Sequence, residues 1–320
     1  MSGPRSSVSS ADMSVLTEPT ASAVARPERR RQRRRAALQG WAFVAPLVIG
    51  IAVFQAYPLL VSLWASFHSW DGFTTPTWIG LDNFTAMPAD ELLVNSVKIT
   101  LLFTLGSIPL TVVLALLLAV LCNRGGRISS SFFRTAYFTP YVTSIVAISL
   151  VFTQFFAPEG VINQVLGLVG IDGPEWLADS TFALVAVIVV AVWQGVGYPM
   201  VILLSGLQAI PKELYEAADV DGASPPARFL RITLPLLTPQ LFFVLITQFI
   251  LSFQIFGVVF VMTSGGPGNA TSVFIYYVFQ NAFSFGQLGY ASAMAWAMFL
   301  FIVALTVIQL RLQKKWVFYA

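Results

Sequence analysis

Charged residues are missing from five long stretches of the chain, which alternate with shorter polar segments. A helix needs about 20 mostly apolar residues to cross a bilayer, so each of the first four stretches predicts one spanning helix. The fifth is long enough for two, and the segment TSGGPGNATS at 263–272 divides it. The uncharged stretches are residues 36–70, 99–123, 135–158, 180–211 and 232–310.

The pattern predicts an all-α polytopic membrane protein with six transmembrane helices. Composition agrees, because only 10% of the residues are charged and 57% are hydrophobic, whereas soluble proteins carry about 25% charged residues. One cysteine, Cys122, and one histidine, His68, offer neither a disulfide framework nor a cysteine-built zinc cluster. We predict no metal site and no catalytic residue. The helices are predicted near 41–67, 97–122, 135–156, 181–207, 239–262 and 288–311.

Basic residues collect on one side of the predicted bundle. If both chain ends lie on that side, every Lys and Arg except Lys98 falls there or at a helix end beside it. Cytoplasmic segments of membrane proteins are enriched in Lys and Arg, so the N- and C-termini are predicted to be cytoplasmic. The opposite loops carry acids: Asp71, Asp82, Asp90, Glu91, Glu159, Asp172, Glu175 and Asp179.

The first residues differ from the rest of the chain. The first 25 residues are rich in Ser and Ala, and RPERRRQRRR follows at 26–35. Residues 1–35 are therefore predicted to be a disordered basic cytoplasmic tail before a transmembrane domain at 36–320. The arginine run immediately precedes the first span, so we interpret it as a topology determinant rather than a nucleic-acid patch. No nucleic-acid partner is predicted.

Several amide side chains lie well inside the predicted helices. An amide facing lipid would leave polar groups unsatisfied, so these residues should face protein or a watery cavity. They indicate either interhelical hydrogen bonds or a path for a polar, uncharged solute. The candidate path residues are Gln154, Gln194, Tyr198, Gln248 and Ser252.

Apart from Lys98 and Arg311 at helix ends, the predicted spans contain no formal charge. Ion-coupled carriers and membrane-embedded hydrolases usually place ionisable groups at depth, so both classes are disfavoured. Transport through this chain would take its energy from elsewhere.

The polar block ELYEAADVDGASPPARFLRITLPLLTP, between the fourth and fifth predicted spans, predicts two short helices. Glu213 and Glu216 fall in the first, near its positively polarised end. Gly222 suits the left-handed conformation that ends a helix. Ser224 suits the cap of a second helix beginning near Pro225.

The motif Glu216-Ala217-Ala218, then Asp221-Gly222-Ala223, Phe229, Ile232 and Leu234-Pro235, resembles the EAA signature of ABC-importer permeases. Only the spacer SPPAR is rich in proline for that family. Looser patterns resemble the carbohydrate branch, of the maltose and glycerol-3-phosphate type. They are FVAPLVIGIAVFQAYPLLVSLWASF at 43–67, TSGGPGNAT at 263–271 and FGQLGYASAMAW at 285–296.

The resemblance implies an ABC type I importer permease fold in a bacterial cytoplasmic membrane, with cytoplasmic coupling helices between helices 4 and 5. Such a subunit forms half of a translocation pathway, beside a second homologous permease. Two ATP-binding cassette subunits use ATP and Mg²⁺, and an extracytoplasmic solute-binding lipoprotein delivers a neutral sugar. This chain itself would bind no cofactor and would touch membrane lipid. The implied coupling loop is 208–238, with candidate residues Glu213, Glu216, Ala217, Ala218, Asp221, Gly222, Ala223 and Phe229.

Two alternatives stay open at this point. A subunit of the same superfamily could carry glycerol-3-phosphate or another small polar solute, although an anion would be expected to meet Arg or Lys along its path. A polytopic membrane enzyme is a second alternative, disfavoured because His, Asp and Glu are missing from the spans.

Overall fold

The computed structural model describes residues 39–124 and 127–318. The predicted tail at 1–35 lies outside the described residues. The described part is mainly helical, with one small two-stranded sheet.

The helices are numbered here in chain order. They are α1 (Gln39–Ala65), α2 (Asp82–Ala86), α3 (Glu91–Arg124), α4 (Arg127–Val142), α5 (Ile145–Phe155), α6 (Val161–Leu168), α7 (Ser180–Gly195), α8 (Gly197–Ala209), α9 (Lys212–Val220), α10 (225–236), α11 (Thr238–Phe253), α12 (Gly257–Met262), α13 (Phe274–Phe279) and α14 (Leu288–Leu312). The strands are β1 (His68–Ser69) and β2 (Thr77–Trp78), paired antiparallel with His68 opposite Trp78.

Four stretches, α1, α3, α11 with α12, and α14, are each long and apolar enough to cross a membrane. Two further candidates are bent helix pairs, α4 with α5 and α7 with α8. Counting each pair as one span gives six candidate spans in the described residues, at the positions that the sequence predicts.

The bends occur where the backbone loses a regular hydrogen bond. Pro140 lies near the end of α4, and Ser144 leaves helical geometry with ψ of 122° before α5 departs at 96°. The 44° bend between α7 and α8 lies just before Pro199. Proline has no N–H for the preceding turn, which explains the bend before Pro199. The 96° break follows instead from the non-helical backbone of Ser144.

The helix α3 lies at the centre of the packing, against α7, α8 and α11. Its polar residues Thr100, Thr104, Ser107 and Thr111 are all buried. The Thr100 hydroxyl accepts a hydrogen bond from the backbone N–H of Phe274 at 2.8 Å, which anchors the start of α13. Small polar groups of this kind suit helix–helix contacts within a membrane.

Contacts divide the chain after Leu60, inside α1, into two compact units. In the first unit, the described residues of α1 include a wider π turn at Ala52–Ala56, and their large apolar side chains are mostly exposed. The second unit contains all the other described elements.

Hydrogen bonds connect the loops of the second unit into two groups, which we call the acidic end and the basic end after their charged residues. The acidic end unites the β1–β2 hairpin, the start of α3, the 263–273 loop and the start of α14. The Asn95 amide donates to Asn269 O at 3.2 Å, and Gly289 N donates to Trp70 O at 2.9 Å. The basic end unites α9, α10 and the C-terminal segment, where Phe318 N donates to the Thr238 hydroxyl at 3.0 Å.

Candidate functional site

A cavity of about 310 Å³ lies among α3, α4, α7 and the α11–α12 junction. Three of the predicted path residues line it together: Gln194 on α7, and Gln248 and Ser252 on α11. The remaining wall is uncharged and consists of Phe103, Ser107, Thr111, Tyr141, Ala191, Gly195, Leu251, Gln254, Ile255, Phe256 and Gly257.

The fifth span is broken where it meets this cavity. The chain leaves helical geometry after Phe253 and resumes it at Gly257, so Gln254, Ile255 and Phe256 line the cavity from an unwound segment. Interrupted helices commonly form solute sites in transporters, because the freed backbone groups face a cavity. The sequence predicts one unbroken helix here, and nothing in its apolar pattern indicates the break.

Hydrogen bonds hold some polar groups of the wall and leave others available. The Thr104 hydroxyl donates to the Ser252 hydroxyl at 3.1 Å, which joins α3 to α11. The Gln194 amide reaches Thr143 O at a long 3.4 Å. The Gln248 amide makes no hydrogen bond to the described part of the chain, so both its donor and its acceptor can serve a solute.

The other two predicted path residues are placed differently. Tyr198 is not in the wall, but its ring stacks on that of Tyr141 with 5.2 Å between centroids and 14° between planes. Because Tyr141 lines the cavity, Tyr198 supports it from behind. Gln154 is exposed at the end of α5, away from the cavity.

Two glycines near the cavity have opposite surroundings. A Cβ at Gly197 would lie 2.3 Å from Tyr137 O, so α8 crosses the backbone of α4 at a distance that only glycine permits. A Cβ at Gly195, in the cavity wall, would meet nothing within 4 Å.

The polar block at the basic end folds as two helices joined by a tight turn, as predicted. Gly222 has φ of +70°, and its N–H donates to Asp219 O at 3.1 Å. Ala223 N donates to Ala218 O at 2.9 Å. These two bonds form a Schellman motif, which ends α9 and requires the left-handed conformation at Gly222.

Two side-chain contacts that the sequence did not indicate fix α9 against α10. Asp219 and Arg228 form an ion pair across the turn. The hydroxyls of Tyr215 and Thr233 lie 2.9 Å apart, in hydrogen-bond contact. Together they make the block a braced unit rather than a loose loop.

The predicted coupling residues divide between the two faces of this block. Ala218 is buried, Ala223 and Phe229 are half-buried, and Phe229 lines a cavity of about 180 Å³ behind α9 and α10. The outward face of α9 also carries Val220, whose side chain is 89% exposed. The exposed candidates are Glu213, Glu216, Ala217, Asp221 and Gly222.

Two carboxylates organise the acidic end. Asp90 caps α3 by accepting from the N–H groups of Leu92 and Leu93, and it also accepts the hydroxyls of Tyr277 and Tyr290, each at 2.9 Å. At Asp71 the backbone N–H groups of Thr74 and Phe73 hold the pKa of the carboxyl below its usual range.

Among the described residues, no group of three or more His, Cys, Asp or Glu side chains is arranged to hold a metal ion. Cys122 is a buried free thiol.

Comparison with known proteins shows the family to which the chain is similar. A family model described as "Binding-protein-dependent transport system inner membrane component" matches residues 111–317. The probable ABC transporter permease protein YesP of Bacillus subtilis is 40% identical over 294 residues, covering 90% of this chain and 94% of YesP.

The lactose transport system permease protein LacF of Rhizobium radiobacter is 34% identical over 277 residues, covering 85% of this chain and 93% of LacF. Among solved structures, a chain of a bacterial ABC transporter involved in the import of the acidic polysaccharide alginate matches with a TM-score of 0.76 and 21% identity. The match covers 90% of this chain and 99% of that chain. At this identity the structural match shows the fold alone.

Proposed function

This chain belongs to the family of binding-protein-dependent transport system inner membrane components, and from that premise we propose that it imports a neutral sugar. The chain is a multi-pass membrane protein and a transport permease, not an enzyme. The membrane-enzyme alternative is therefore wrong.

The cavity beside the broken fifth span is the main support for the proposed substrate class. Its volume of about 310 Å³ falls at the lower end of the range of about 300–1,000 Å³ found for small-molecule sites. Amides and hydroxyls can donate to and accept from the hydroxyl groups of a sugar. We propose that the sugar binds to the free amide of Gln248 and to the weakly held amide of Gln194. Ser252 fixes the position of α11 in the cavity wall through its hydrogen bond with Thr104.

Glycerol-3-phosphate fits this wall less well. No Lys or Arg belongs to the residues that line the cavity, and a phosphate without a cationic partner would lose the charge-assisted hydrogen bonds that usually hold it. LacF, 34% identical to this chain, is by its name a permease for lactose, which supports a sugar as the substrate.

The braced block at the basic end is proposed to couple this chain to an ATPase. The exposed acids Glu213 and Glu216 and the apolar Val220 offer a mixed surface suited to a protein partner. The motif Gly-x-x-x-x-Gly-Lys-Ser/Thr of a phosphate-binding loop does not occur in the sequence. We therefore assign ATP and Mg²⁺ to two partner subunits. A second permease and an external binding protein complete the proposed importer.

The orientation follows from the same assignment. With the basic end in the cytoplasm, single cysteines at Ser224 and Asp172, both exposed, should react with a membrane-impermeant maleimide from opposite sides. The background is Cys122→Ala, which removes the buried native thiol. We expect the cysteine at 172 to label in intact cells, and the one at 224 only after the membrane is opened. Labelling of both from outside would contradict this orientation.

The substrate class is tested by uptake into proteoliposomes. The chain is reconstituted with the proposed partners, namely ATPase subunits, a second permease and a binding protein, and ATP is enclosed. The probes are radiolabelled lactose, a panel of other neutral mono- and disaccharides, and sn-glycerol-3-phosphate. We expect ATP-dependent uptake of at least one neutral sugar. Uptake of glycerol-3-phosphate alone would overturn the substrate class, and uptake of none of these probes would overturn the proposed function.

A further inference from the structure

Four phenylalanine rings form a chain of contacts that starts in the cavity wall. The ring of Phe256 lies 5.2 Å from that of Phe279, and Phe279 lies 5.1 Å from Phe283, measured between centroids. Phe260 contacts Phe256 at 5.2 Å and Phe279 at 5.4 Å. We call Phe256, Phe260, Phe279 and Phe283 the aromatic ladder.

The ladder leads from the cavity to the acidic end. Phe256 belongs to the unwound segment that lines the cavity. Phe283 belongs to the π turn Gln280–Ser284 that follows α13. The helix α13 is itself held at the acidic end by the hydrogen bond that the Tyr277 hydroxyl donates to Asp90.

These rings are not core residues. Phe283 is 75% exposed and Phe260 is 44% exposed, while Phe256 and Phe279 are half-buried. Exposed apolar surface is common on a chain that spans a membrane, because lipid can cover it. The aromatic ladder differs from other apolar surface because Phe256, at one end of it, belongs to a cavity wall that also contains several glutamines.

We propose that the aromatic ladder is the track along which the sugar moves from the acidic end into the cavity, an inference that rests on the proposed function. A pyranose has two faces of C–H groups and a rim of hydroxyls. The C–H groups are attracted to the electron-rich face of an aromatic ring. Successive rings about 5 Å apart let one contact form as another is released.

Polar groups accompany the ladder. The Gln280 amide lies 3.4 Å from the Tyr276 hydroxyl, and the Tyr276 ring contacts Phe256 and Phe260. Tyr276 is buried, so the half-buried amide of Gln280 is the polar group beside the ladder that a stacked sugar can meet. Passage requires several weak sites rather than one tight site, and stacking contacts of this kind meet that requirement.

The test separates sugar transfer from energy use. Phe283→Leu and Phe260→Leu keep an apolar side chain of similar reach but remove the ring, whereas Phe283→Trp keeps a ring. Phe285→Leu is the matched control, because Phe285 is 54% exposed and contacts none of the four ladder rings. Each variant is reconstituted as the complete importer. The sugar that the wild type transports best, and ATP hydrolysis stimulated by the binding protein, are measured in the same vesicles.

We expect the two leucine variants to lower sugar uptake about three- to tenfold, the size of one lost aromatic contact, while ATP hydrolysis stays at the wild-type rate. Sugar moved per ATP should therefore fall, Phe283→Trp should restore it, and Phe285→Leu should match the wild type. Unchanged uptake in both leucine variants would overturn the track and indicate a lipid-facing surface. Equal losses of uptake and hydrolysis would overturn it in favour of protein docking. A wild type that transports no sugar would overturn the proposed function and the track with it.

Discussion

Replacing Gly222 by valine is expected to stop transport although the protein still inserts in the membrane. Gly222 has φ of +70°, and a side chain in that conformation costs about 1–2 kcal/mol, with a further cost for a branched one. Valine should instead shift the turn out of its left-handed geometry. The bonds from Gly222 N to Asp219 O and from Ala223 N to Ala218 O would then be lost, and α10 would change its angle to α9.

The measurement is sugar uptake together with ATP hydrolysis stimulated by the binding protein, in the reconstituted importer. Both activities of Gly222→Val should fall at least about tenfold, because the block would no longer fit the ATPase that we propose binds it. Gly222→Asn is the control. No atom lies within 4 Å of a Cβ at this position, and asparagine tolerates positive φ best among the other residues, so most activity should remain.

Glu216→Ala should give the same joint loss by another route. Glu216 is exposed and is proposed to meet a basic group of the ATPase, where a charge-assisted hydrogen bond contributes about 1.5–3 kcal/mol. Glu175→Ala, which removes an exposed acid far from this block, should leave both activities unchanged. Wild-type rates for both Glu216→Ala and Gly222→Val would show that the block does not couple transport to ATP hydrolysis.

The double variant Gln194→Leu/Gln248→Leu is expected to reduce sugar uptake about a hundredfold. Leucine fills similar space but leaves sugar hydroxyls without partners inside the cavity, at about 1–3 kcal/mol for each, where about 1.4 kcal/mol is tenfold. Each single change should therefore lower uptake about tenfold. ATP hydrolysis should respond less, since the block proposed to couple the chain to the ATPase is unchanged.

Gln154→Leu serves as the matched control, because Gln154 is an exposed span glutamine that the structure places outside the cavity. Uptake by this variant should equal that of the wild type. If the double variant also transports normally, the glutamines only pack between helices, and the solute path lies elsewhere.

The positions of the spans could be predicted from the sequence because they depend on local composition. Bilayer thickness fixes the length of an apolar run, and every predicted span corresponds to an apolar helix or a bent pair. The turn at Gly222 was also predictable, since a left-handed helix end strongly favours glycine.

The breaks and the cavity could not be predicted in the same way. The interruption at Gln254–Phe256 lies in a run that is apolar on both sides, so the sequence contains no local signal for it. The helix α12 that follows the break packs on α5, a tertiary contact that the local sequence does not indicate. The brace between Asp219 and Arg228 joins residues that each look like ordinary surface charges. Gln154 and Gln194 are similar in sequence context, and only tertiary structure places one outside the cavity wall and the other in it.

At Gly195 the cavity wall has no side chain, and the space that a side chain would occupy is open. Its neighbour Gly197 is fixed by the backbone of α4, whereas a side chain at Gly195 would meet no atom within 4 Å at its Cβ. The dimensions of the cavity can therefore change at this residue without moving a helix. If the cavity holds the sugar as proposed, exchanging this glycine for alanine, serine or a bulkier residue should shift the preference towards smaller sugars.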